Sequence, residues 1–243
     1  MKISIITITY NSESTILDTL KSIKSQKFSN YNHIIIDGNS TDKTLDICKK
    51  FSPKAKIISE NDKGVYDAFN KGLRYAKGDI VGFLNSDDVF YDKNVLQAIF
   101  DAFDNKTDAV FGNLDYVGRG GRIIRKWRSR PFKKGSFQKG WMPPHPTFYC
   151  KRKVYDELGF YDDSFKIAGD FELMLRFFEK NNIRTKLIYK TLIKMREGGL
   201  SNSGLRSKIN ILKEEFRAFE QNQINISKLE YIINKSFKIK EYF

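Results

Sequence analysis

The short apolar run Val81-Gly82-Phe83-Leu84 ends in Asn85-Ser86-Asp87-Asp88. Two neighbouring carboxylates at the end of a buried strand offer hard oxygen ligands suited to Mg²⁺ or Mn²⁺, and such an ion can in turn hold a diphosphate. The same residues would also make a solvated acidic turn. Three more polar clusters follow apolar runs upstream: Tyr10-Asn11, residues 37–42 beginning with Asp37, and Asn61-Asp62. If those runs are strands of one parallel sheet, their loops lie side by side beyond the carboxyl ends of the strands, where open α/β sheets bind ligands. Acidic and amide side chains there suit ribose hydroxyls, a base edge and a metal. In the second half, Asp170 follows Gly169 at the head of an amphipathic stretch. It is either a helix cap or a carboxylate available for proton transfer. Trp141 and His145 flank a proline-rich loop and could touch a diphosphate or an acceptor, or simply pack.

Apolar spacing supplies the elements that must position these groups. Residues 3–9 read as a buried strand, followed by a helix carrying Ile16, Leu17, Leu20 and Ile23 on one face and capped by Asn11 or Ser12. A strand at 33–36, a helix joining Leu45, Cys48 and Phe51, and a strand at 56–59 come next. A helix at 65–76 aligns Val65, Phe69, Leu73 and Ala76, Gly78 stops it, and residues 79–84 form the next strand. This alternation predicts right-handed βαβ units and a mostly parallel sheet. The second half reads as mixed: a helix at 93–104, strands at 109–112, 122–125 and 147–149, and a helix from Asp170 with Leu173, Met174, Phe177 and Phe178 inward. Two short strands at 185–188 and 191–195 follow. Past Gly198-Gly199 a helix carries Ile209, Leu212, Phe216 and Phe219 on one stripe. The expected organisation is a ligand-binding half at 1–116, a second half of the same domain at 117–200, and a helical tail at 201–243.

Composition bounds the function. The chain has 243 residues, 40% of them hydrophobic, which suits a globular protein with a sizeable core. No run approaches the roughly 18 apolar residues of a membrane span, and the first residues read as a strand, so no signal peptide is expected. Cys48 and Cys150 have no metal-like spacing, which points to a reducing cytoplasm. The net charge of +14 is concentrated, because no Asp or Glu lies between Tyr116 and Tyr155 while Lys and Arg recur from Arg119 to Lys153. Such a field attracts phosphates, nucleic acid or an anionic membrane, or is a solvated basic face. Nucleic acid is the weaker partner, since no recognition motif is present and an acid-lined crevice repels phosphate without a metal. Neither a Gly-x-Gly-x-x-Gly after the first strand nor a Gly-Lys-Ser/Thr loop occurs, which argues against dinucleotide and P-loop sites.

Five segments, in order, resemble family 2 glycosyltransferases of the GT-A fold over roughly residues 1–200. They are Ile5-Ile6-Thr7-Ile8-Thr9-Tyr10-Asn11, Ile35-Ile36-Asp37-Gly38-Asn39-Ser40-Thr41-Asp42, Asn70-Lys71-Gly72 with Ala76-Lys77-Gly78-Asp79, Phe83-Leu84-Asn85-Ser86-Asp87-Asp88, and Gly169-Asp170-Phe171-Glu172-Leu173. The resemblance implies a GT-A-like, Rossmann-related α/β fold with a mixed acceptor half. It implies that Thr7, Tyr10, Asp37, Asp62 and Asn85 serve the nucleotide sugar, that Asp87 holds Mn²⁺ or Mg²⁺, and that Asp170 is the catalytic base. The implied reaction is inverting transfer from a UDP-sugar to a hydroxyl of a lipid-linked glycan in surface polysaccharide, capsule or lipopolysaccharide assembly. The implied location is cytoplasmic, peripheral to the membrane. The chain departs from the family pattern in three places: Asn85 replaces the first Asp of the metal motif, Gly169 replaces a Glu before the base, and Phe69 stands where many members carry a phosphate-contacting Arg. A basic residue between Arg119 and Lys139 could compensate for the last. A sugar-phosphate nucleotidyltransferase shares a related fold, but it needs a Gly- and Arg-rich loop where Tyr10-Asn11-Ser12-Glu13 stands.

Overall fold

The computed structural model describes residues 1–197 and 204–240. The Gly198-Gly199 break lies outside the described residues.

The first half is built as its apolar spacing dictates. Strands β1 (Ile3–Thr9), β2 (Tyr31–Asp37), β3 (Lys56–Ser59) and β4 (Ile80–Phe83) run parallel in the order β3-β2-β1-β4. Alternate residues point to opposite faces of the sheet. Ile35 therefore packs with Ile16 and Leu20 of α1 (Ile16–Lys24) and Cys48 of α2 (Thr44–Phe51). Ile34 and Ile36 pack on the other face with Phe69 and Leu73 of α3 (Val65–Tyr75). With both faces covered, β1 and β2 are near-continuous apolar runs, as parallel strands must be. Neither Asn11 nor Ser12 caps α1 by its side chain; Asn11 Oδ1 accepts from the Thr41 N–H and the Ser12 hydroxyl meets that of Ser86 instead. Gly78 does not end α3, which stops at Tyr75. A Cβ at Gly78 would lie 2.7 Å from the Lys2 carbonyl oxygen and the Ser4 nitrogen, so the glycine lets this turn press on β1.

The second half extends the same sheet. Strands β5 (Val89–Phe90), β6 (Ala109–Val117), β7 (Ile123–Trp127), β8 (Tyr149–Lys151) and β9 (Thr185–Arg196) bring the sheet to nine strands among the described residues, ordered β3-β2-β1-β4-β8-β6-β9-β5 with β7 on β6. Strand β8 is antiparallel to both neighbours, β4 and β6, and so locks the halves into one sheet. The two strands expected at 185–188 and 191–195 are one strand. Its register against β6 slips between Phe111 and Asn113, and Tyr189 bulges out to 78% exposure. Helix α4 (Val95–Ala102) buries Val95, Leu96 and Ile99, and α5 (Arg152–Leu158) follows β8. Helix α6 (Gly169–Leu175) runs on through a π-helical turn, Arg176–Lys180. Of two C-terminal helices, α7 (Gly204–Gln221) packs beside it, and α8 (Lys228–Lys240) packs on residues Phe137–Lys139 and, through Tyr231, on Phe216 and Phe219 of α7. Phe219 of the expected stripe is buried, whereas Ile209 is 45% exposed. No helix among the described residues is long and apolar enough to cross a membrane.

Candidate active site

The four loops beyond β1 to β4 are bonded to one another. The Asn11 N–H donates to Ser40 Oγ (2.9 Å) and the Thr41 N–H to Asn11 Oδ1 (2.9 Å), joining the first loop to the second. Asn39 Nδ2 donates to Asn61 Oδ1 (3.1 Å), joining second to third, and the Ser12 and Ser86 hydroxyls meet at 2.9 Å, joining first to fourth. Asn11 (φ 45°) and Asn39 (φ 65°) occupy the left-handed region that Asn tolerates better than most residues.

Asp37 is the buried brace of this set. It is 0% exposed, and its oxygens accept from the Ser40 N–H (3.0 Å), the Ser40 hydroxyl and the Ser59 hydroxyl (2.6 Å). Asp37 thus ties its own loop to β3, with one donor on Oδ1 and two on Oδ2. Its neighbour opens the space. A Cβ at Gly38 would lie 2.7 Å from Asp62 Oδ2 and 3.4 Å from the Tyr10 ring, so glycine lets these two side chains close over the backbone. Tyr10 is 62% exposed, and Asp62 is oriented by the Gly64 N–H at 3.0 Å. Thr7 sits within the sheet, fully buried, with its hydroxyl 2.9 Å from a ring nitrogen of His33. Burial lowers that histidine to about 4 and keeps it neutral. A direct contact from the Thr7 side chain to a ligand is therefore not presented.

The turn after β4 behaves differently. Asn85 Oδ1 and both carboxylate oxygens of Asp88 are buried without a hydrogen-bond partner. Burial, with Asp87 adjacent, pushes the Asp88 carboxyl well up, and the nearby Arg196 only partly offsets this. Burial also raises Asp87. Uncompensated buried carboxylates are costly unless a cation or proton joins them. Hard oxygen atoms around Asp87 fit Mg²⁺ or Mn²⁺. No three His, Cys, Asp or Glu side chains converge on one point among the described residues, at this turn or elsewhere. The protein would thus supply few ligands and leave the rest to diphosphate and water, the usual way of holding Mg²⁺.

Asp170 lies at the head of α6, partly accessible among apolar neighbours. Burial raises its carboxyl to about 6, against the opposing pull of the Phe171 N–H (2.8 Å) and the Tyr66 hydroxyl (3.4 Å). Tyr66 belongs to α3, four residues past Asp62, and its hydroxyl also donates to the Ile167 carbonyl at 2.6 Å. This contact ties the acidic residue of the second half to the loops of the first. Gly169 makes it possible, since a Cβ there would meet the Tyr66 ring at 2.8 Å. On the other side, Glu214 of α7 accepts three backbone N–H groups in the approach to α6: Lys166 (2.9 Å), Ile167 (2.9 Å) and Ala168 (2.7 Å). Asp170 is not the helix cap; Ala168 occupies that position.

Two of the expected contact residues are enclosed. His145 is buried beside Phe69 and Phe83, with Nε2 2.8 Å from the Tyr161 hydroxyl, and burial lowers it to about 4. A neutral, enclosed ring offers no charge to a diphosphate. Trp141 is 7% exposed and packs edge-on to Phe111 and Phe137 in the core, leaving no face for a sugar. Phe69 belongs to the same aromatic nest, which accounts for the missing Arg. Arg122, Lys126, Arg128, Arg130, Lys133 and Lys134 are exposed, although Arg128 is spent on buried Asp115 at 2.6 Å. Sequence reasoning missed Tyr66 and Glu214, and it named Asp88 without its burial. Tyr66 looks like helix core, and Glu214 like a solvated helix face.

A mixed sheet with cross-linked loops at its strand ends, an acidic turn among them and a second carboxylate on a following helix define a glycosyltransferase of the GT-A type. Residues 4–171 match Glycosyl transferase family 2, and the chain belongs to that family. A "PGL/p-HBAD biosynthesis glycosyltransferase" of Mycobacterium tuberculosis is 29% identical over 215 residues, covering 82% of this chain and 79% of the relative. The "UDP-Glc:alpha-D-GlcNAc-diphosphoundecaprenol beta-1,3-glucosyltransferase WfaP" of Escherichia coli is 29% identical over 219 residues, covering 87% and 85%. Among solved structures, S. aureus TarS 1-349 superposes with a TM-score of 0.68 at 20% identity, covering 96% of this chain and 71% of that one, and so supports the fold.

Proposed function

We propose that this transferase moves a sugar, with inversion, from a UDP-sugar to a hydroxyl of a lipid-linked glycan in surface polysaccharide assembly. The observation that carries the reading is Asp170. A carboxyl raised to about 6 is mostly ionised at neutral pH yet basic enough to take a proton, which is the tuning a general base needs. In this reading residues 1–116 bind the donor, 117–200 the acceptor, and the C-terminal helices brace the second. Tyr10 and Asp62, closed over Gly38, hold the base and ribose, with Asp37 and Thr7 fixing the backbone beneath them. Bound at Asp87, beside Asn85 and Asp88, Mn²⁺ or Mg²⁺ would neutralise the diphosphate leaving group. Asp170 takes the proton of the attacking acceptor hydroxyl, and Tyr66 orients the carboxylate. One displacement at the anomeric carbon gives inversion.

The relatives support the choice of partners. WfaP is named for UDP-Glc and a diphosphoundecaprenol acceptor, TarS has been solved with UDP-GlcNAc, and a Pyrobaculum calidifontis mannosyltransferase with GDP-Man and Mn²⁺. The basic surface from Arg122 to Lys134 would draw the enzyme to an anionic membrane, where such acceptors reside. Titration of UDP, GDP and their sugars, with and without Mn²⁺, tests the donor side by melting temperature. A cognate ligand at 100 times its Kd adds about 2.7 kcal/mol. A Mn²⁺-dependent rise with UDP is expected, and no response to any nucleoside diphosphate would refute the reading.

A further inference from the structure

A cavity of about 370 Å³ lies between the two C-terminal helices and the second half of the sheet domain. Trp127 of β7, Met142, Phe171 of α6, Leu212 of α7, and Tyr231 and Ile232 of α8 wall it. Its buried acid, Glu215, is bonded by Lys235, so the interior makes little demand for water. Lys208 stands at the rim, exposed. Two features connect the cavity to the chemistry. Phe171 is the residue after Asp170, and Lys235 is near enough to favour the charged form of Asp170. Two others connect it to a lipid. Its walls continue into exposed apolar side chains, Ile232 (39%), Ile233 (45%) and Leu229 (71%) on α8. The β7 strand, which contributes Trp127 to its wall, carries exposed Lys126 and is preceded by exposed Arg122.

We propose that this cavity receives the phosphate-proximal part of the acceptor's apolar chain, with Lys208 meeting the phosphate at the rim. The proposal rests on the reading of the chain as a transferase to a lipid-linked acceptor, and names where that lipid sits. An apolar pocket beside the base would hold the acceptor sugar near Asp170 whatever the sugar's own contacts are. The volume admits on the order of ten methylene-sized groups. Binding should therefore strengthen with chain length and then level off.

Alkyl phosphates from hexyl to dodecyl, kept below micelle-forming concentrations, serve as probes by calorimetry and by Trp fluorescence, since Trp127 lines the cavity and the chain has two Trp. Affinity should rise roughly two- to fourfold per methylene and flatten near decyl. Inorganic phosphate should not bind at the same concentrations. Lys208→Gln and Ile232→Gln, both at exposed positions, should fold and weaken decyl phosphate by at least about fivefold while leaving UDP–Mn²⁺ affinity unchanged. Affinity independent of chain length, or unaffected by both variants, overturns the proposal, and decanol binding as tightly as decyl phosphate overturns the role of Lys208. UDP–Mn²⁺ binding without alkyl phosphate binding rejects the cavity and keeps the transferase reading. Alkyl phosphate binding without any nucleotide binding supports the cavity and rejects the donor assignment.

Discussion

Replacing Asp170 by Asn separates catalysis from stability, because the two should move in opposite directions. The folded protein raises this carboxyl from 3.8 to about 6, so it holds the proton more tightly than the unfolded chain does. Stability is therefore lost as pH rises from about 4 to about 6 and stays lost above. At 1.36 kcal/mol per tenfold change in proton affinity, the full loss is about 3 kcal/mol. Asn keeps acceptors for the Phe171 N–H and the Tyr66 hydroxyl and carries no charge to desolvate. At pH 7.5 the variant should be about 1–3 kcal/mol more stable, a gain of roughly 2–10 °C in Tm. At pH 4 the two proteins should melt together. Turnover should fall on the order of 10²- to 10⁴-fold, because an amide cannot serve as the base. UDP affinity should stay at the parental value. The parent's kcat/KM should show an acidic limb near pH 6, reporting ionisation of the base and absent from the residual activity of the variant. Melting curves from pH 4 to 8, set beside turnover, decide the matter. Normal turnover would remove Asp170 from the chemistry, and a Tm difference that does not change with pH would refute the assignment of its raised pKa to burial.

Four further outcomes follow from the site. Asp87→Ala should abolish Mn²⁺-dependent nucleotide binding in calorimetry, and retention of that binding would displace the metal from this turn. Gly38→Ala should fold and weaken UDP at least tenfold, because the added Cβ would sit 2.7 Å from Asp62 Oδ2; unchanged affinity would remove Tyr10 and Asp62 from the nucleotide pocket. Glu214→Gln should lower kcat about tenfold with UDP affinity intact, and cost about 1–3 kcal/mol by leaving a backbone N–H before Asp170 without its acceptor. The protein should co-sediment with anionic vesicles at low salt and be released at high salt, with about 1 kcal/mol available per basic residue at the surface. Neutralising Arg125, Lys126, Arg128, Arg130, Lys133 and Lys134 together should end that binding, or else the segment is a solvated face.

How much of this was legible in the sequence depended on whether the determining contacts were local. Strands β1 and β3 fall on the expected residues; β1, covered on both faces, is written as a near-continuous apolar run, and β3 as an Ile57-Ile58 pair between polar ends. The polar clusters after those runs mark the crevice for the same reason, since the chain turns polar where it leaves the sheet. The insertion of β8 between β4 and β6 had no such mark. It depends on register with strands 40 to 70 residues away, and nothing in Tyr149-Cys150-Lys151 announces its neighbours. The break expected in β9 is a bulge, where exposed Tyr189 and Lys190 imitate a turn.

Within the site, residue type was a good guide to chemistry but a poor one to direction. Asp37 and Asp88 look alike in sequence, each a carboxylate after an apolar strand. Asp37 meets donors from its own loop and from Ser59, and so becomes structure. Asp88 has no such hydroxyl donors, and burial beside Asp87 pushes its carboxyl well up. What separates them is the presence of hydroxyls at 40 and 59, one of them on a different strand. The same logic governs Asp170. Its position at the start of a helix is local and legible, but burial raises its carboxyl and the Tyr66 hydroxyl, more than 100 residues earlier, partly pulls it back, while the loop before it is held by Glu214, more than 40 residues later. A sequence can therefore nominate a base, whereas only the packing of α3 and α7 around it can tune one.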